Sequence, residues 1–259
     1  MKLLTINTHS IIEPDYENKL RIFVNSVYRI RPDIIAMQEV NQRKESDIIR
    51  LGSGLDVRRD NHAYRVCKQL ADMGLCYNYI WRGIKESYGK NEEGVAILTH
   101  LPIKDTDCIL LSEKDDRKDW RTRYAVGVKI YDEWFYSVHI GRYDDRVEPF
   151  TKQWERLSKS VSHKGKVWIM GDFNCDFNSD GYKEVINSGW YDTYINAGER
   201  DCGITVKEQI DGWRDTDTRD MRIDYIFTNT DCEILSARVV FNGDNEPVIS
   251  DHYGVEVRL

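Results

Sequence analysis

Short apolar runs typical of β-strands alternate with helical patterns along the whole chain, and this alternation restricts the fold more than any other feature. Strands are predicted at residues 3–7, 34–40, 94–99 and 166–170, and near residues 222–227, 234–241 and 253–259. Helices are predicted at residues 17–28, 62–73, 150–161 and around 182–186. This succession predicts a layered α/β fold.

Residues 124–140 indicate that the sheet is not purely parallel. Apolar residues alternate over residues 124–130 and again over 134–140, with Asp132 and Glu133 between the two runs. Two alternating strands joined by so short a turn form an antiparallel hairpin, so mixed sheets are expected. The same alternation places His139 on the opposite face of its strand from the apolar residues.

Length and composition favour one globular domain. The chain has 259 residues, only five prolines and no Ser/Gly-rich tract, so residues 1–259 are expected to form a single domain. The longest strictly apolar runs have four residues, which is too short for a membrane span. The N-terminal residues lack the apolar stretch of a signal peptide, and a cytoplasmic location is expected.

Charge and cysteine content exclude two further classes of protein. The formal net charge of -7 argues against a protein that holds long nucleic acid mainly by neutralising phosphates, although a local basic groove is compatible with this total. The six cysteines show no CxxC motif and no zinc-ligand spacing. They are therefore expected to be free thiols.

Polar residues suited to metal or phosphate chemistry lie repeatedly at the ends of the predicted strands. They are Asn7, Gln38, Glu39, His139, Asp172, Asn174, Asp224, Asp251 and His252. In a mixed sheet, strands that leave one edge and strands that enter at that edge can present all of these groups to one cleft. Such a cleft suits a hard divalent cation with oxygen ligands and a phosphate.

Each of these residues also has a purely structural interpretation. A single Asp or Glu at a strand end is commonly a solvated turn residue or a helix cap. His139 can equally be a hydrogen-bonded interior histidine. The joint pattern, rather than any one residue, favours a functional site.

Seven segments carry a resemblance to a known family over essentially the whole chain. In order they are TINTHS, AMQEV, EEGVAILTHLPI, YSVHI, MGDFN, RIDYIF and ISDHYGVEV. Together they resemble the endonuclease/exonuclease/phosphatase superfamily, which includes exonuclease III, pancreatic-type deoxyribonuclease, sphingomyelinase and inositol polyphosphate 5-phosphatase. The resemblance implies a four-layered α/β/β/α sandwich, with two mixed sheets packed face to face between helices.

The same resemblance implies a metal site. Glu39 is the expected principal ligand, with Asn7 and Asp251 close to the same ion. The implied ion is Mg²⁺, with Mn²⁺ as a substitute. Such an ion neutralises phosphate charge and polarises the P–O bond.

The remaining motif residues are implied to carry the catalytic steps. Asp172 would orient or deprotonate the attacking water, and Asn174 would hold water or phosphate. His252 would contact the scissile phosphate, oriented by Asp224. His139 matches a histidine that many family members place near the leaving group or the phosphate.

Two arginines before the predicted hairpin are candidates for substrate binding. Arg121 and Arg123 can reach a phosphate as planar bidentate donors, or they can cover a sheet edge with solvated charge. Arg123 is the preferred candidate. Glu93, next to Gly94, is expected to support the site without an assigned role.

Residues 176–181 match the first half of an EF-hand calcium loop. Position 12 of that loop would be Asn187 rather than a bidentate Glu. A polar turn before the helix around residues 182–186 is the preferred interpretation, and calcium binding is the alternative.

Substrate choice depends on loops and on the details around the motifs. Residues 41–61 and 201–221 are predicted to be irregular walls of the cleft, the first rich in Arg and Lys and the second containing Trp213, which can stack on a sugar or pack beneath its loop. The segments NTHS, VHIGRYDDRVEPFTKQWERL and IDGW are similar to a bacterial subgroup that contains maltose 6'-phosphate phosphatase. This similarity favours a phosphomonoesterase acting on a small phosphorylated sugar, although Arg142 departs from the aromatic pair expected there.

Three rival functions share the same residues. A DNA endonuclease or abasic-site nuclease would use the same cleft, and the net charge disfavours it only mildly. A secreted sphingomyelinase is disfavoured by the absence of a signal peptide. A binding module that has lost catalysis is disfavoured because every motif residue is intact.

Overall fold

Two mixed β-sheets and the helices that cover them form the protein in a computed structural model that describes residues 1–50, 56–207 and 220–259. The strands are β1 (Lys2–Asn7), β2 (Ile34–Arg43), β3 (Ile48–Arg50), β4 (Val57–Arg58), β5 (Asn78–Ser87), β6 (Asn91–Thr99), β7 (Asp105–Leu110), β8 (Tyr124–Ile130), β9 (Glu133–His139), β10 (Val167–Asp172), β11 (Tyr191–Asp192), β12 (Ala197–Arg200), β13 (Asp224–Thr228), β14 (Ile234–Val240) and β15 (Gly254–Arg258). The helices are α1 (Tyr16–Ile30), α2 (His62–Asp72), α3 (Phe150–Val161) and α4 (Asp180–Asn187), and a short 3-10 turn spans Ser10–Ile12.

Each of the two sheets combines parallel and antiparallel strand pairs. Within the described ranges, one sheet has seven strands in the order β12-β14-β15-β1-β2-β6-β5, and the other has six in the order β11-β13-β10-β9-β8-β7. Strands β1 and β2 are parallel, as are β9 and β10, whereas β2–β6, β8–β9 and β10–β13 are antiparallel. Both sheets are therefore mixed, as expected.

Three buried layers establish the four-layered sandwich. The first joins the sheets face to face through residues such as Ile34, Val126 and Trp168. The second packs α1 and α2 on the seven-stranded sheet, and the third packs α3 and α4 on the six-stranded sheet. The predicted α/β/β/α architecture is confirmed.

The predicted hairpin is confirmed with a shift of one residue at its turn. Strands β8 and β9 pair up to Ile130 and Glu133, so Tyr131 and Asp132 form the turn. Tyr131 has a φ of 52°, which fits a two-residue hairpin turn. The face that contains His139 is directed between the sheets, since Phe135 lies in the inter-sheet core.

Helix α2 is confirmed in position and partly in its predicted apolar face. Of the residues that periodicity aligned, Cys67 and Leu70 are buried, Tyr64 is half-buried and Ala71 is exposed, and the buried face also contains Ala63 and Val66. The helix begins where the Asn61 side chain accepts a hydrogen bond from the Tyr64 backbone amide at 3.1 Å. This cap fixes the N-terminal end of the helix.

The described part of residues 41–61 is more regular than predicted. Strand β2 continues to Arg43, and β3 and β4 form a small antiparallel pair. Arg50 lies over the ring of Tyr79. The other four basic residues pair with carboxylates: Arg43 with Asp60, Lys44 with Glu86, Arg58 with Glu92 and Arg59 with Asp47. The segment therefore lacks a row of unpaired cations in its described part.

Two further predictions concern the whole chain. All six cysteines are free thiols, as expected. No helix among residues 1–50, 56–207 and 220–259 is both long and apolar enough to cross a membrane.

Candidate active site

Three candidate residues lie in one row across the six-stranded sheet. Asp172, the last residue of β10, is in register with His139 of β9 on one side and with Asp224 of β13 on the other. All three side chains are buried. The close approach of β9 and β10 requires glycine before Asp172, because a Cβ on Gly171 would lie 2.0 Å from the carbonyl oxygen of Val138.

The seven-stranded sheet contributes the facing residues. Asn7 ends β1, and its amide Nδ2 donates to Glu39 Oε1 at 3.0 Å and to Asp172 Oδ2 at 3.1 Å. Glu39 lies in a break in the β2–β6 register between Met37 and Val40, with a φ of 50°. This bulge directs a non-glycine residue out of the regular pleat, a feature common beside functional sites.

His252 completes the row from the segment that precedes β15. Its Nδ1 lies 3.0 Å from Asp224 Oδ2, and its Nε2 lies 3.8 Å from Asp172 Oδ2. Burial opposes protonation of this imidazole, but Asp224 and Asp172 outweigh it and raise the pKa of His252 well above its usual value. The geometry therefore places the His252 imidazole between two acidic side chains that favour its protonated form.

Asp172 and His139 have pKa values shifted in the directions expected of a buried site. Burial raises the pKa of Asp172 to about 7, with Asp224 adding to the rise and His252 opposing it. Burial, followed by Arg123 and Lys85, lowers the pKa of His139 well below its usual value. Its Nε2 lies 3.5 Å from Asp172 Oδ2, so a neutral imidazole adjoins a carboxyl that titrates near neutrality.

Asn174 is held beside Asp172 by the local backbone. Its backbone amide donates to Asp172 Oδ1 at 2.8 Å, and its side-chain Nδ2 donates to the carbonyl of Ile140 at 2.9 Å. The residue has a φ of 46°, an unusual conformation that asparagine tolerates better than most residues.

The three expected metal ligands are only partly brought together. Asn7 contacts Glu39 directly, whereas Asp251 lies beside His9, with His9 Nδ1 3.8 Å from Asp251 Oδ1. His9 Nδ1 lies 2.8 Å from Glu13 Oε1, and ligand atoms of His9, Glu13 and Asp251 form one compact group. Neither His9 nor Glu13 has a role predicted from the sequence, although His9 belongs to the TINTHS motif.

The donor chemistry at this position fits a hard divalent cation. The side chains of Glu39 and Asp251 offer carboxylate oxygens, and Asn7 offers an amide oxygen. Burial and then the nearby Glu93 raise the pKa of Glu39, and the positive charge of His9 offsets this rise only in part. Burial opposes protonation of His9, but its hydrogen bond to Glu13 and the charges of Glu39 and Asp251 raise its pKa to about 9.

A cavity of about 340 Å³ opens over these groups. It is lined by Glu39, His139, Asp172, Asn174 and His252, and by Arg123. The structure thus places the candidate residues from both sheets at one cavity, with Asn7, Asp224 and Asp251 next to the lining residues.

The structure separates the two candidate arginines. Arg123 is buried in the cavity wall, where its Nη1 donates to the carbonyls of Trp120 and Thr122, at 2.6 and 3.0 Å. Its Nε has no hydrogen-bond partner, and in the described residues its guanidinium pairs with no carboxylate. Arg121 instead binds Asp119, with Nε 2.9 Å from Oδ1.

Lys85 is a cavity residue that the sequence analysis missed. It lies opposite Glu93 in the β5–β6 register, and its Nζ is 3.0 Å from Glu93 Oε1 and donates to the Trp120 carbonyl at 3.2 Å. Strand β5 mixes charged and apolar residues without strict alternation, so no periodic signal identified it. Glu93, which had no assigned role, also lines the cavity.

Two other candidate motifs fall outside the site. Residues 176–179 form the turn before α4, and residues 180 and 181 begin the helix: Asp176 Oδ1 accepts from the backbone amides of Phe177 and Arg222, and the Ser179 side chain caps the helix. This is the helix-initiating turn expected from the sequence. Trp213 and its neighbours in residues 208–219 lie outside the described residues.

Comparisons with known proteins identify the family of this chain. The family model described as Endonuclease/Exonuclease/phosphatase family matches residues 4–252. A solved structure of an endonuclease/exonuclease/phosphatase family protein from Leptotrichia buccalis is 32% identical, covers 100% of this chain and 98% of its own, and superposes with a TM-score of 0.91. No curated protein matches this chain in sequence.

More distant solved structures share the fold. A mannosyl-6-phosphatase from Bacteroides thetaiotaomicron is 17% identical, with a TM-score of 0.69 over 100% of this chain and 98% of its own. A 3' phosphatase from Neisseria, bound to a product DNA hairpin, is also 17% identical, with a TM-score of 0.70 over 100% and 99%. From the match over residues 4–252 and the 32% identity, the chain belongs to the endonuclease/exonuclease/phosphatase family of metal-dependent phosphoester hydrolases.

Proposed function

We propose that the protein is a Mg²⁺-dependent phosphomonoesterase that acts on a small phosphorylated sugar or similar metabolite. The observation that carries this proposal is the environment of the Arg123 side chain. It is a buried guanidinium without a carboxylate partner in the described chain, in the same cavity wall as His139 and Asp172. A buried unpaired cation is costly unless an anion fills the site, and one phosphate group supplies that anion.

The surroundings of the cavity favour a single phosphate over a polyanion. Other cations at or near its wall are already paired: Lys85 with Glu93, Lys44 with Glu86, Arg142 with Asp144 and Arg121 with Asp119. Binding of a long nucleic acid depends on many unneutralised cations along the backbone. The described surface beside the cavity therefore suits a compact substrate with its phosphate at Arg123.

The roles of the side chains follow from their positions. Asp172 accepts the proton of the attacking water, whose oxygen bonds to phosphorus in line as the ester P–O bond breaks. The His252 imidazolium, oriented by Asp224, donates to a phosphate oxygen and stabilises the charge of the transition state. Asn174 positions water or phosphate, and His139 lies where it can contact the leaving oxygen.

Asn7, Glu39 and Asp251 are the residues proposed to hold the metal. When bound, Mg²⁺ supplies neutralisation of the phosphate charge and polarisation of the P–O bond. His9 is positively charged next to Glu39 and Asp251 and limits the repulsion between these carboxylates.

Three further points support the proposal. The fold is shared with a mannosyl-6-phosphatase, which acts on a small sugar phosphate. Both sheets supply residues to one cavity, as expected if residues 1–259 form a single catalytic domain. The intact motif set disfavours a binding module without catalysis.

DNA hydrolysis in the same cleft is the second candidate. It is favoured by the shared fold of a 3' phosphatase bound to a DNA hairpin. That enzyme also removes a terminal phosphate, so the chemistry of the cleft fits both substrates.

A substrate panel tests the choice between these functions. Phosphate release from hexose 6-phosphates would be measured with Mg²⁺, beside release from a 3'-phosphorylated DNA hairpin and nicking of supercoiled and abasic plasmid. We expect turnover of a hexose phosphate and none in the His252→Ala variant. Nicking or DNA 3'-phosphate release without sugar-phosphate turnover would overturn the choice of substrate.

A further inference from the structure

Two large aromatic residues stand exposed at the wall of the active-site cavity. Trp120 is 54% exposed and Tyr88 is 55% exposed, and both line the cavity that contains His139 and Asp172. Exposed aromatic rings beside a polar cavity mark a surface that a ligand covers. Neither residue belongs to the catalytic motifs.

The backbone of Trp120 is fixed from inside the protein. Its carbonyl accepts hydrogen bonds from Lys85 Nζ at 3.2 Å and from Arg123 Nη1 at 2.6 Å. The guanidinium carbon of Arg121 lies 5.5 Å from the centre of the indole, and Asp119 holds that guanidinium. The ring is therefore a pre-ordered surface, which lowers the entropic cost of binding a ligand.

The position of Tyr88 in the cavity wall is also fixed by contacts within the protein. It follows β5 with a φ of 48°, and its hydroxyl lies 3.3 Å from His9 Nε2. Glu86 lines the same cavity near Tyr88 in sequence and is 42% exposed at its side chain. Its carboxylate can accept hydrogen bonds from hydroxyl groups.

We propose that Trp120 and Tyr88 form the subsite for the leaving alcohol, and that they hold the ring of a monosaccharide. This inference rests on the proposed function and identifies the residues that give it specificity. A sugar ring presents apolar C–H faces to aromatic rings and hydroxyl groups to a carboxylate such as Glu86. The cavity volume of about 340 Å³ also suits a single sugar phosphate.

The test compares Trp120→Ala and Tyr88→Ala with Tyr131→Ala, which removes an equally exposed aromatic ring from the β8–β9 turn. The substrates are glucose 6-phosphate or mannose 6-phosphate, whichever the wild type hydrolyses faster, and the acyclic ester glycerol 3-phosphate. Inhibition by inorganic phosphate is measured in parallel. Thermal unfolding confirms that each variant is folded.

We expect Trp120→Ala to raise the KM for the hexose phosphate roughly fivefold to tenfold, with kcat changed little. The KM for glycerol 3-phosphate and the inhibition constant for inorganic phosphate should stay at wild-type values. Trp120→Phe should restore most of the hexose affinity, and Tyr88→Ala should act in the same direction as Trp120→Ala. Tyr131→Ala should match the wild type throughout.

An equal effect of Trp120→Ala on the cyclic and acyclic esters, or no effect on either, would overturn this inference while leaving the proposed function intact. Failure of the wild type to release phosphate from any of these esters would instead remove the proposed function, and this inference with it.

Discussion

At the scale of single residues, the site depends on a small number of buried charges held by hydrogen bonds. Asp224 is buried, and its Oδ2 is 3.0 Å from His252 Nδ1, while its Oδ1 has no hydrogen-bond partner among the residues that the structure describes. The Asp224 carboxylate therefore makes its side-chain hydrogen bond to the His252 imidazole. In the proposed chemistry this contact fixes both the orientation and the charge of His252.

Asp224→Asn keeps the size of the side chain and removes its charge. We expect kcat for phosphate release to fall by about 10²- to 10⁴-fold, because the imidazolium loses its stabilising partner. KM should change much less. Asp105→Asn, an exposed substitution on β7, is the matched control and should keep the wild-type rate. A wild-type kcat in Asp224→Asn would remove this pair from the mechanism.

His62 provides a residue-scale prediction about stability. It is buried at the start of α2, with Nδ1 2.9 Å from the hydroxyl of Tyr16, and burial lowers its pKa from 6.5 to about 3. Between these two pKa values the unfolded chain binds a proton that the folded protein does not bind. The contribution of His62 to stability is therefore complete above pH 6.5 and is lost as the pH falls toward 3.

The measurement is the free energy of unfolding of wild type and His62→Gln, from urea titrations at pH 7 and pH 5. The unfolding free energy of the wild type, relative to that of the variant, should fall by about 2 kcal/mol from pH 7 to pH 5, at roughly 1.4 kcal/mol per pH unit below 6.5. A difference that is independent of pH would mean that His62 has the same pKa in the folded and the unfolded protein.

At the scale of elements, strand ends and irregularities place the reactive groups. Asp172 reaches the cavity because β10 packs closely against β9 at Gly171, and Glu39 because β2 bulges between Met37 and Val40. Regular strands would alternate these side chains in and out of the sheet. Glu39 is thus a departure from an otherwise regular sheet, whereas Asp172 keeps the regular register of β10.

Gly171→Ala tests this dependence. A methyl group there would lie 2.0 Å from the Val138 carbonyl, and relieving the clash must separate β9 from β10. We expect a loss of about 3 kcal/mol in unfolding free energy, together with a large loss of activity through displacement of Asp172. Gly198→Ala in β12, where the nearest atom is 3.3 Å away, should be close to neutral. Equal stability of the two variants would contradict the close packing of β9 and β10.

At the scale of the whole molecule, the fold was largely predictable because buried strands and amphipathic helices leave a periodic signal. The hairpin β8–β9 and helix α3 follow from alternation and from a 4, 3, 4 spacing of apolar residues. Strands β5 and β7 were missed, since β5 lacks strict alternation and β7 is a partly exposed edge strand. Their burial depends on neighbours that are distant in sequence.

The candidate site was predictable from the sequence only where the motif residues lie at the ends of strands. Register alone brings His139, Asp172 and Asp224 into one row. The placement of Lys85 against Glu93, of His9 beside Asp251, and of Trp120 at the cavity wall depends on how separate loops and sheets pack. No local pattern encodes those contacts, which is why the sequence did not identify them.

The proposed metal site lies where the two sheets face each other. There Asn7 of the seven-stranded sheet donates hydrogen bonds to Glu39 of the same sheet and to Asp172 of the six-stranded sheet. The most direct measurement is the rate of phosphate release as a function of Mg²⁺ concentration, for wild type and for Glu39→Gln. Wild-type activity should vanish in excess EDTA, and the variant should require at least about tenfold more Mg²⁺ for half-maximal rate, because a ligand charge is lost. Undiminished turnover in EDTA, or an unchanged Mg²⁺ requirement in Glu39→Gln, would contradict a cation held at this junction.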